Sequence, residues 1–226
     1  MTDSRAIELV MVLRRQGISD VRVLSAIETI PRDVFVDKPF ETNAYDNSAL
    51  PIACGQTISQ PYVVAFATQA LELDPKHRVL ELGTGSGYQA AILSPLCRMV
   101  YTVERHKPLL AQAEERFRKL RRTNIVTRHG DGLKGWPEGA PFDRILLSAA
   151  VPEVPQILID QLKPAGILVA PVGGDAQSAR GVSQSLTKIV KGEGGITREN
   201  LLPVMFVPMI EGLPQNARAP EGPGKS

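Results

Sequence analysis

A glycine-rich turn between two apolar strands constrains the fold of this chain more than any other feature. The run Arg78 to Leu82 is predicted to be a buried strand, and glycines follow it at alternate positions, namely Gly83, Gly85 and Gly87. Alternating glycines let the backbone turn sharply and let a ligand approach it, which side chains would prevent. One βαβ unit later, Val100 to Val103 is predicted to be a second parallel strand that ends at Glu104. This pattern is typical of a nucleotide pocket on a doubly wound sheet.

The spacing of the glycines indicates which nucleotide would bind. Dinucleotide dehydrogenases use G-x-G-x-x-G, whereas this chain has G-x-G-x-G with Glu81 two residues before the first glycine. That form favours S-adenosylmethionine, whose site must hold a ribose and a zwitterionic amino acid. Glu104 lies about twenty residues further on, where an acidic side chain accepts both hydrogen bonds of a ribose diol. The alternative is a glycine turn that only packs a strand against a helix.

Asp131, in the run Gly130-Asp131-Gly132, follows the next predicted strand. It should therefore lie at the same edge of the sheet as Glu104 and the glycine turn, where a carboxylate can accept the exocyclic amine of adenine. The alternative is an ordinary turn residue, because Asp-Gly is also common turn chemistry.

Length and composition favour one catalytic domain. The 226 residues, 43% of them hydrophobic, suffice for one core. We divide the chain into N-terminal helices and a substrate loop (1–60), a donor-binding core (61–173), C-terminal strands (174–213) and a disordered tail (214–226). A net charge of +2 is too small to indicate a nucleic-acid or membrane partner. Two cysteines and three scattered histidines predict neither a disulfide framework nor a metal site, and no apolar leader or spanning segment is present, so we expect a soluble, cytoplasmic protein.

The order of predicted elements indicates an α/β fold. Two N-terminal helices, the second capped by Asp20, precede a long ordered loop over residues 32 to 60 and a helix with Pro61 at its first position. Strands and helices then alternate as a doubly wound, Rossmann-like sheet, with strands at 78–82, 99–103, 124–128, 142–148 and 165–170 and helices at 87–94, 107–121 and 154–162. Strands at 183–190 and 201–207, joined through a turn at 192–195, are predicted to add an antiparallel hairpin and make the sheet mixed.

Several motifs together resemble one family. These are GQTISQPYVVA, VLELGTGSGYQAAIL, VYTVERHKPL, RHGDG, PFDRILLSAAVPEVPQILIDQLKPAGILVAPVG, IPRDVFV and MFVPM. The chain resembles the protein-L-isoaspartate O-methyltransferases over roughly residues 5 to 210. The GQTISQP, IPRDVFV and MFVPM segments carry this resemblance, because the other motifs are shared among methyltransferases generally.

The resemblance implies an activity and a set of site residues. The family transfers a methyl group from S-adenosylmethionine to the α-carboxylate of L-isoaspartyl residues in damaged proteins, and the ester cyclises to a succinimide that partly hydrolyses to aspartate. By motif position the donor would contact Gly83, Thr84, Gly85, Ser86, Gly87, Glu104, Asp131 and Gly132. Damaged proteins and peptides would be the partners, and the enzyme would be a monomer.

The acceptor side of the implied site centres on Ser59, which matches the active-site serine of the family. Its hydroxyl would hydrogen-bond one oxygen of the substrate carboxylate, with Thr57, Ile58 and Gln60 as the surrounding wall. The alternative for Ser59 is a cap on the helix that begins near Pro61. Val207, in MFVPM, would offer backbone hydrogen bonds to the peptide, and its alternative is an edge strand ending at Pro208.

Other functions fit the sequence less well. An RNA methyltransferase would use the basic run Arg116 to Arg122, but on a helix these charges spread over an outer face, and Ser148-Ala149-Ala150-Val151-Pro152 stands where amino-group methylases carry Asn/Asp-Pro-Pro-aromatic. A nicotinamide dehydrogenase has the wrong glycine spacing. A methyltransferase that acts on aspartate in one dedicated peptide would need an extra recognition segment, for which this chain has little room.

Overall fold

A computed structural model describes residues 3–173 and 184–214 of the protein. Two helices begin it, α1 (Ser4–Arg15) and α2 (Val21–Thr29), and the side chain of Asp20 accepts from Arg22 N at the start of α2, as predicted. Helix α1 buries Ala6, Leu9, Val10 and Leu13, whose spacing places them on one face. No helix of the described residues combines the length and apolarity that a membrane crossing demands.

Residues 32 to 60 contain more regular structure than the predicted loop. Short 3-10 helices span Arg32–Phe35 and Lys38–Asn43, and an antiparallel hairpin follows, formed by β1 (Leu50–Ile52) and β2 (Gln56–Ile58). The prediction of a long ordered loop missed these short elements, because three-residue strands are too short to show a period of two. Helix α3 (Pro61–Ala70) comes next, with Pro61 at its first position as expected.

A seven-stranded sheet forms the centre of the molecule. Its strands are β3 (Arg78–Leu82), β4 (Met99–Glu104), β5 (Ile125–His129), β6 (Phe142–Leu147), β7 (Leu162–Val172), β8 (Gln184–Gly192) and β9 (Gly195–Val204), in the spatial order β5-β4-β3-β6-β7-β8-β9. The first five are parallel, and β7, β8 and β9 pair antiparallel. The predicted doubly wound sheet with a C-terminal hairpin is confirmed.

Three helices connect the parallel strands: α4 (Tyr88–Leu93), α5 (Lys107–Lys119) and α6 (Gln156–Asp160). The chain moves outward from β3 to β4 and β5 and then returns to place β6 on the other side of β3. In open α/β sheets, ligands bind at the carboxyl ends of the strands where the order reverses in this way. The fold therefore places a crevice beside the ends of β3, β4 and β6.

Two element boundaries near the C-terminus differ from the prediction. Strand β7 starts at Leu162 rather than 165, because Leu162 already pairs with Phe142 ahead of an irregularity in the register. Strand β9 starts at Gly195, directly after the turn, and ends at Val204 rather than 207. Residues 205 to 207 leave the sheet because Pro208 forms a bridge with Ala150 instead. Ser183 and the predicted tail from residue 215 onward lie outside the described residues.

Candidate active site

The turn after β3 depends on its three glycines. Gly83, Gly85 and Gly87 have φ angles of 98°, 54° and 90°, a left-handed region that disfavours residues with a Cβ. The backbone nitrogen of Gly83 donates to the carbonyl of Val103 at 2.9 Å, which attaches the turn to β4. Gly83, Thr84, Gly85 and Ser86 line a cavity at this edge of the sheet.

Glu104 ends β4 against the same turn and is 5% exposed. Its Oε2 accepts from the backbone nitrogen of Gly85 at 2.8 Å, and its Oε1 accepts from that of His106 at 2.9 Å. Each carboxylate oxygen has a second lone pair, and the side chain lines the cavity. The geometry agrees with the predicted acceptor for a ribose diol.

Gly87 does not line the cavity, although its motif position implied contact with the donor. A Cβ placed on it would lie 2.8 Å from the ring of Phe117 and 3.0 Å from the side chain of Ala113. Gly87 therefore lets the start of α4 approach α5, a packing role between two helices rather than between a strand and a helix. It supports the donor turn through its backbone conformation rather than through contact.

The basic run on α5 contains a residue that braces the glycine turn. Nη1 of Arg116 donates to the carbonyl of Ser86 at 3.0 Å, so Arg116 does more than solvate an outer face. Phe117 in the same run is buried under Gly87. Two members of the run thus serve the donor side of the cavity, which weakens the view of this helix as a nucleic-acid surface.

Asp131 and Gly132, which the sequence analysis both assigned to donor binding, have different surroundings in the structure. Gly132 lines the cavity, whereas the carboxylate of Asp131 accepts from the backbone nitrogens of Leu133 and Gly212, each at 2.9 Å. The first bond is the turn chemistry of the alternative reading. The second ties the loop after β5 to the C-terminal segment, which leaves each oxygen one acceptor position for a ligand amine.

Ser59, just after β2, lines the same cavity as the glycine turn. Gln60, not Ser59, is the N-cap residue of α3, and the helix has no side-chain cap hydrogen bond. Within the described part of the chain, the recorded hydrogen bonds of Ser59 involve its carbonyl and leave its hydroxyl available. These contacts speak against the capping alternative. Thr57 and Ile58 also line the cavity, whereas the amide of Gln60 is turned away and donates to the carbonyl of Asn47 at 2.8 Å.

The segment after β9 returns to the site over the end of β6. The carbonyl of Val207 accepts from Ala150 N at 2.8 Å, and Met209 N donates to the carbonyl of Ala150 at 2.7 Å. The side-chain amide of Gln184 bonds both backbone groups of Phe206, at 2.6 Å and 3.1 Å. Val207 lines the cavity as predicted, but its carbonyl is already engaged, and the edge-strand alternative does not hold because β9 ends earlier.

The cavity together with its open mouth holds about 860 Å³ of space that no protein atom fills. Further wall residues that the sequence did not single out include Tyr88, Gln89, His106, Ser148, Met209 and Ile210. Ser148 follows β6 directly, so the strand-end rule that found Glu104 would also have found it. Met209 follows no strand of the parallel sheet and was marked only by its place in the MFVPM segment, and Ile210 had no sequence signal.

Glu81, the acidic residue of the glycine motif, lies wholly buried inside β3. Thr102 donates from its hydroxyl to Oε2 of Glu81 at 2.6 Å, and Oε1 has no hydrogen-bond partner among the described residues. Burial, opposed by the Thr102 hydrogen bond and aided by the negative charge of Glu104, raises the pKa of Glu81 to about 8. The carboxyl group is therefore mostly protonated at neutral pH.

Because the pKa of Glu81 is higher in the folded state than its ordinary value of 4.5, its ionisation destabilises the fold as pH rises from about 4.5 to about 8. Each unit is worth about 1.4 kcal/mol, so Glu81→Gln should stabilise the donor-free enzyme near pH 8 by at most roughly 5 kcal/mol and have little effect near pH 4.5. Melting temperatures of the wild type and of Glu81→Gln, measured from pH 4.5 to pH 8, test this prediction. A difference that does not grow with pH would contradict the prediction. Glu114→Gln, on α5, is the matched control.

Comparisons with known proteins agree on one family. A family model for protein-L-isoaspartate (D-aspartate) O-methyltransferase matches residues 4–213. A protein-L-isoaspartate O-methyltransferase from Paramagnetospirillum magneticum is 57% identical over 213 residues, covering 94% of this chain and 98% of the relative. One from Parvibaculum lavamentivorans is 54% identical over 211 residues, covering 93% and 94%.

Solved structures give the same result for the fold. A structure of a protein-L-isoaspartate O-methyltransferase aligns with a TM-score of 0.80 at 28% identity, and the alignment covers 90% of this chain and 65% of that one. A Plasmodium falciparum structure, described as such an enzyme in complex with S-adenosyl-L-homocysteine, aligns with a TM-score of 0.76 at 25% identity and covers 92% and 99%.

The doubly wound sheet, the glycine turn and the buried acid at the end of β4 define a Rossmann-like methyltransferase that uses S-adenosyl-L-methionine as methyl donor. The cavity and the left-handed glycine turn suit that donor. This chain belongs to the protein-L-isoaspartate (D-aspartate) O-methyltransferase family. It is an enzyme that methylates L-isoaspartyl residues of proteins, the first step of their repair.

Proposed function

We propose that the cavity aligns the α-carboxylate of an L-isoaspartyl residue with the donor methyl group through the hydroxyl of Ser59. The observation that carries this proposal is that Ser59, with its hydroxyl available, shares one cavity with the glycine turn and Glu104. One hydrogen bond to one carboxylate oxygen leaves the other oxygen free to attack. Thr57 and Ile58 form the adjoining wall and help to exclude water.

On the donor side, Gly83, Thr84, Gly85 and Ser86 would contact the donor, and Glu104 would accept from the ribose hydroxyls. Gly132 would lie against the adenine, with Asp131 accepting its amine through the lone pairs that its backbone bonds leave free. S-adenosyl-L-methionine supplies an electrophilic methyl group on a sulfonium centre. Gly87 supports this site by packing, and Val207 borders the place of the peptide.

The reaction needs alignment more than acid or base chemistry. A substrate carboxylate is ionised at pH 7, so it attacks without losing a proton, and the methyl group passes to its oxygen while the bonding electron pair stays on sulfur. His106 is the one histidine on the cavity wall of the described residues, and this scheme gives it no proton to carry. The resulting ester then cyclises to a succinimide without further help from the enzyme.

The test is incubation with S-adenosyl-L-methionine labelled in the methyl group and two peptides that differ only in an L-isoaspartyl or an L-aspartyl linkage. We expect base-labile label in the isoaspartyl peptide alone. Equal labelling of both peptides would favour a methyltransferase that recognises aspartate in one sequence. Label found only in added RNA would favour the RNA methyltransferase alternative, and either result would contradict the proposal.

We further propose that the chain acts as a monomer with one methyltransferase domain in the cytoplasm, without a nucleic-acid or membrane partner. The glycine turn, Glu104 and Ser59 line one cavity of a single chain, so the proposed chemistry does not require a residue from a second copy. Cytoplasmic proteins keep their cysteines as thiols, and both cysteines of this chain, Cys54 and Cys97, are free. Light scattering on a size-exclusion column would reveal a dimer and refute the first part.

A further inference from the structure

Arg32 is a charged residue that the described activity has not yet used. It begins the 3-10 helix Arg32–Phe35, and its side chain is completely buried. None of the ion pairs formed among residues 3–173 and 184–214 includes it. Buried charges in proteins are normally paired, because removing them from water is unfavourable. An unpaired buried guanidinium therefore needs an explanation.

The hydrogen bonds of Arg32 lead to the acceptor side of the cavity. Its Nε donates to the carbonyl of Ala44 at 2.8 Å, and its Nη2 donates to that of Ser59 at 2.9 Å and, more weakly, to that of Ser48 at 3.4 Å. The three carbonyls lie at separate points of the segment between the 3-10 helix Arg32–Phe35 and α3. One side chain thus fixes the path of the chain at Ser59.

The guanidinium also contacts the donor side. Its central carbon lies 4.7 Å from the ring centroid of Tyr88, which follows the glycine turn and lines the cavity. The remaining nitrogen, Nη1, is buried and has no hydrogen-bond partner among the described residues. Arg32 therefore lies between the serine that faces the acceptor and the helix that begins behind the donor.

The charge of Arg32 persists despite its burial. Burial lowers the pKa of its guanidinium, but an arginine keeps its proton at neutral pH because its ordinary pKa is so high. Carbonyl dipoles and an aromatic face stabilise this charge without neutralising it. The acceptor side therefore has, behind Ser59, one positive charge that no ion pair of the described residues neutralises. Such a charge attracts a carboxylate more strongly than a neutral amide.

We propose that Arg32 is a positioning residue for the methyl acceptor, fixing the backbone of Ser59 and supplying the positive charge that favours a carboxylate. The inference rests on the proposed role of Ser59. Arg32 contacts neither substrate nor donor in this scheme and acts through Ser59 and through its charge.

The test compares Arg32→Met, which removes charge and hydrogen bonds, with Arg32→Lys, which keeps the charge. Arg144→Met is the matched control, because Arg144 also donates to three backbone carbonyls, those of Leu71, Glu72 and Asp143. Arg144 lies in the amino-terminal half of β6 and is not part of the cavity wall. We expect Arg32→Met to lower kcat/KM for an isoaspartyl peptide about 10- to 100-fold per folded molecule, since small misalignments reduce rates strongly. Its Kd for S-adenosyl-L-homocysteine should stay close to that of the wild type. The kcat/KM of Arg32→Lys should lie between that of Arg32→Met and that of the wild type. Arg144→Met should lose stability but keep the kcat/KM and the Kd of the wild type.

Equal kcat/KM values per folded molecule for Arg32→Met and Arg144→Met would overturn the proposal. If Arg32→Met does not fold, the comparison of Arg32→Lys with Arg144→Met decides in the same way. Failure of both Arg32 variants to fold would assign the residue to stability and would also overturn it.

Combining Arg32→Lys with Ser59→Ala separates this inference from the proposed function. If Arg32 acts through Ser59, the loss caused by Ser59→Ala should be smaller in the Arg32→Lys background, since coupled residues are not additive. Additive losses would refute the route through Ser59. An inactive Arg32→Lys beside a fully active Ser59→Ala would instead refute the role of Ser59 itself.

Discussion

Replacing Ser59 by alanine is expected to lower the turnover of an isoaspartyl peptide about 10- to 150-fold, because one hydrogen bond to a charged group is worth about 1.5 to 3 kcal/mol. The melting temperature should change little, since Gln60 is the N-cap residue of α3 and the helix has no side-chain cap to lose. The Kd for S-adenosyl-L-homocysteine should also be preserved, because the change lies on the acceptor side. Turnover, calorimetric binding and melting on one preparation measure all three.

Ser94→Ala is the control for this experiment. Ser94 is buried away from the cavity, and its hydroxyl donates to the carbonyl of Ala91 at 2.8 Å, so its loss should reduce stability and spare turnover. A Ser59→Ala enzyme that is less stable but fully active per folded molecule would remove Ser59 from the chemistry and return it to a structural role.

Glu104→Gln should weaken donor binding by about 10- to 150-fold, the equivalent of roughly 1.5 to 3 kcal/mol for lost charge-assisted hydrogen bonds. The amide removes the negative charge offered to the ribose, and its nitrogen cannot accept from Gly85 or His106, as the carboxylate does. Titration calorimetry with S-adenosyl-L-homocysteine measures the effect. At saturating donor, the kcat for the peptide should recover more fully than it does in Ser59→Ala.

Glu114→Gln makes the same chemical change on α5, where the carboxylate accepts from the hydroxyl of Thr127 at 2.6 Å and faces away from the donor. This variant should bind donor like the wild type. Donor affinity that is equal in the folded Glu104→Gln and Glu114→Gln proteins would show that Glu104 does not hold the ribose.

The donor half of the site was largely predictable from local sequence. Gly83, Gly85 and Glu104 stand at the ends of consecutive parallel strands, and this topology brings strand ends together whatever the rest of the chain does. Ser59 was found through family resemblance, because a serine in an irregular segment has no periodicity to mark it. Pro61 at the first helical position already favoured Gln60 as the cap residue, and the structure has Gln60 there.

Other assignments needed contacts between distant segments. Sequence grouped Gly87 with the donor glycines, but its missing side chain makes room for Phe117, thirty residues away along the chain. The carboxylate of Asp131 accepts a hydrogen bond from Gly212 N in addition to the one within its own turn. The side-chain amide of Gln60 donates to the carbonyl of Asn47. Local patterns cannot reveal such partners, because they depend on which surfaces meet after folding.

The sequence by itself determined the sheet, the glycine turn and the acid that faces it, since these follow from strand periodicity and from backbone conformations that only glycine adopts readily. Only the tertiary structure decided how the acceptor side is built. The hairpin of β1 and β2, the returning segment at Val207 and the buried guanidinium of Arg32 converge from separate parts of the chain. Their positions result from long-range hydrogen bonds and burial, which have no signature in neighbouring residues.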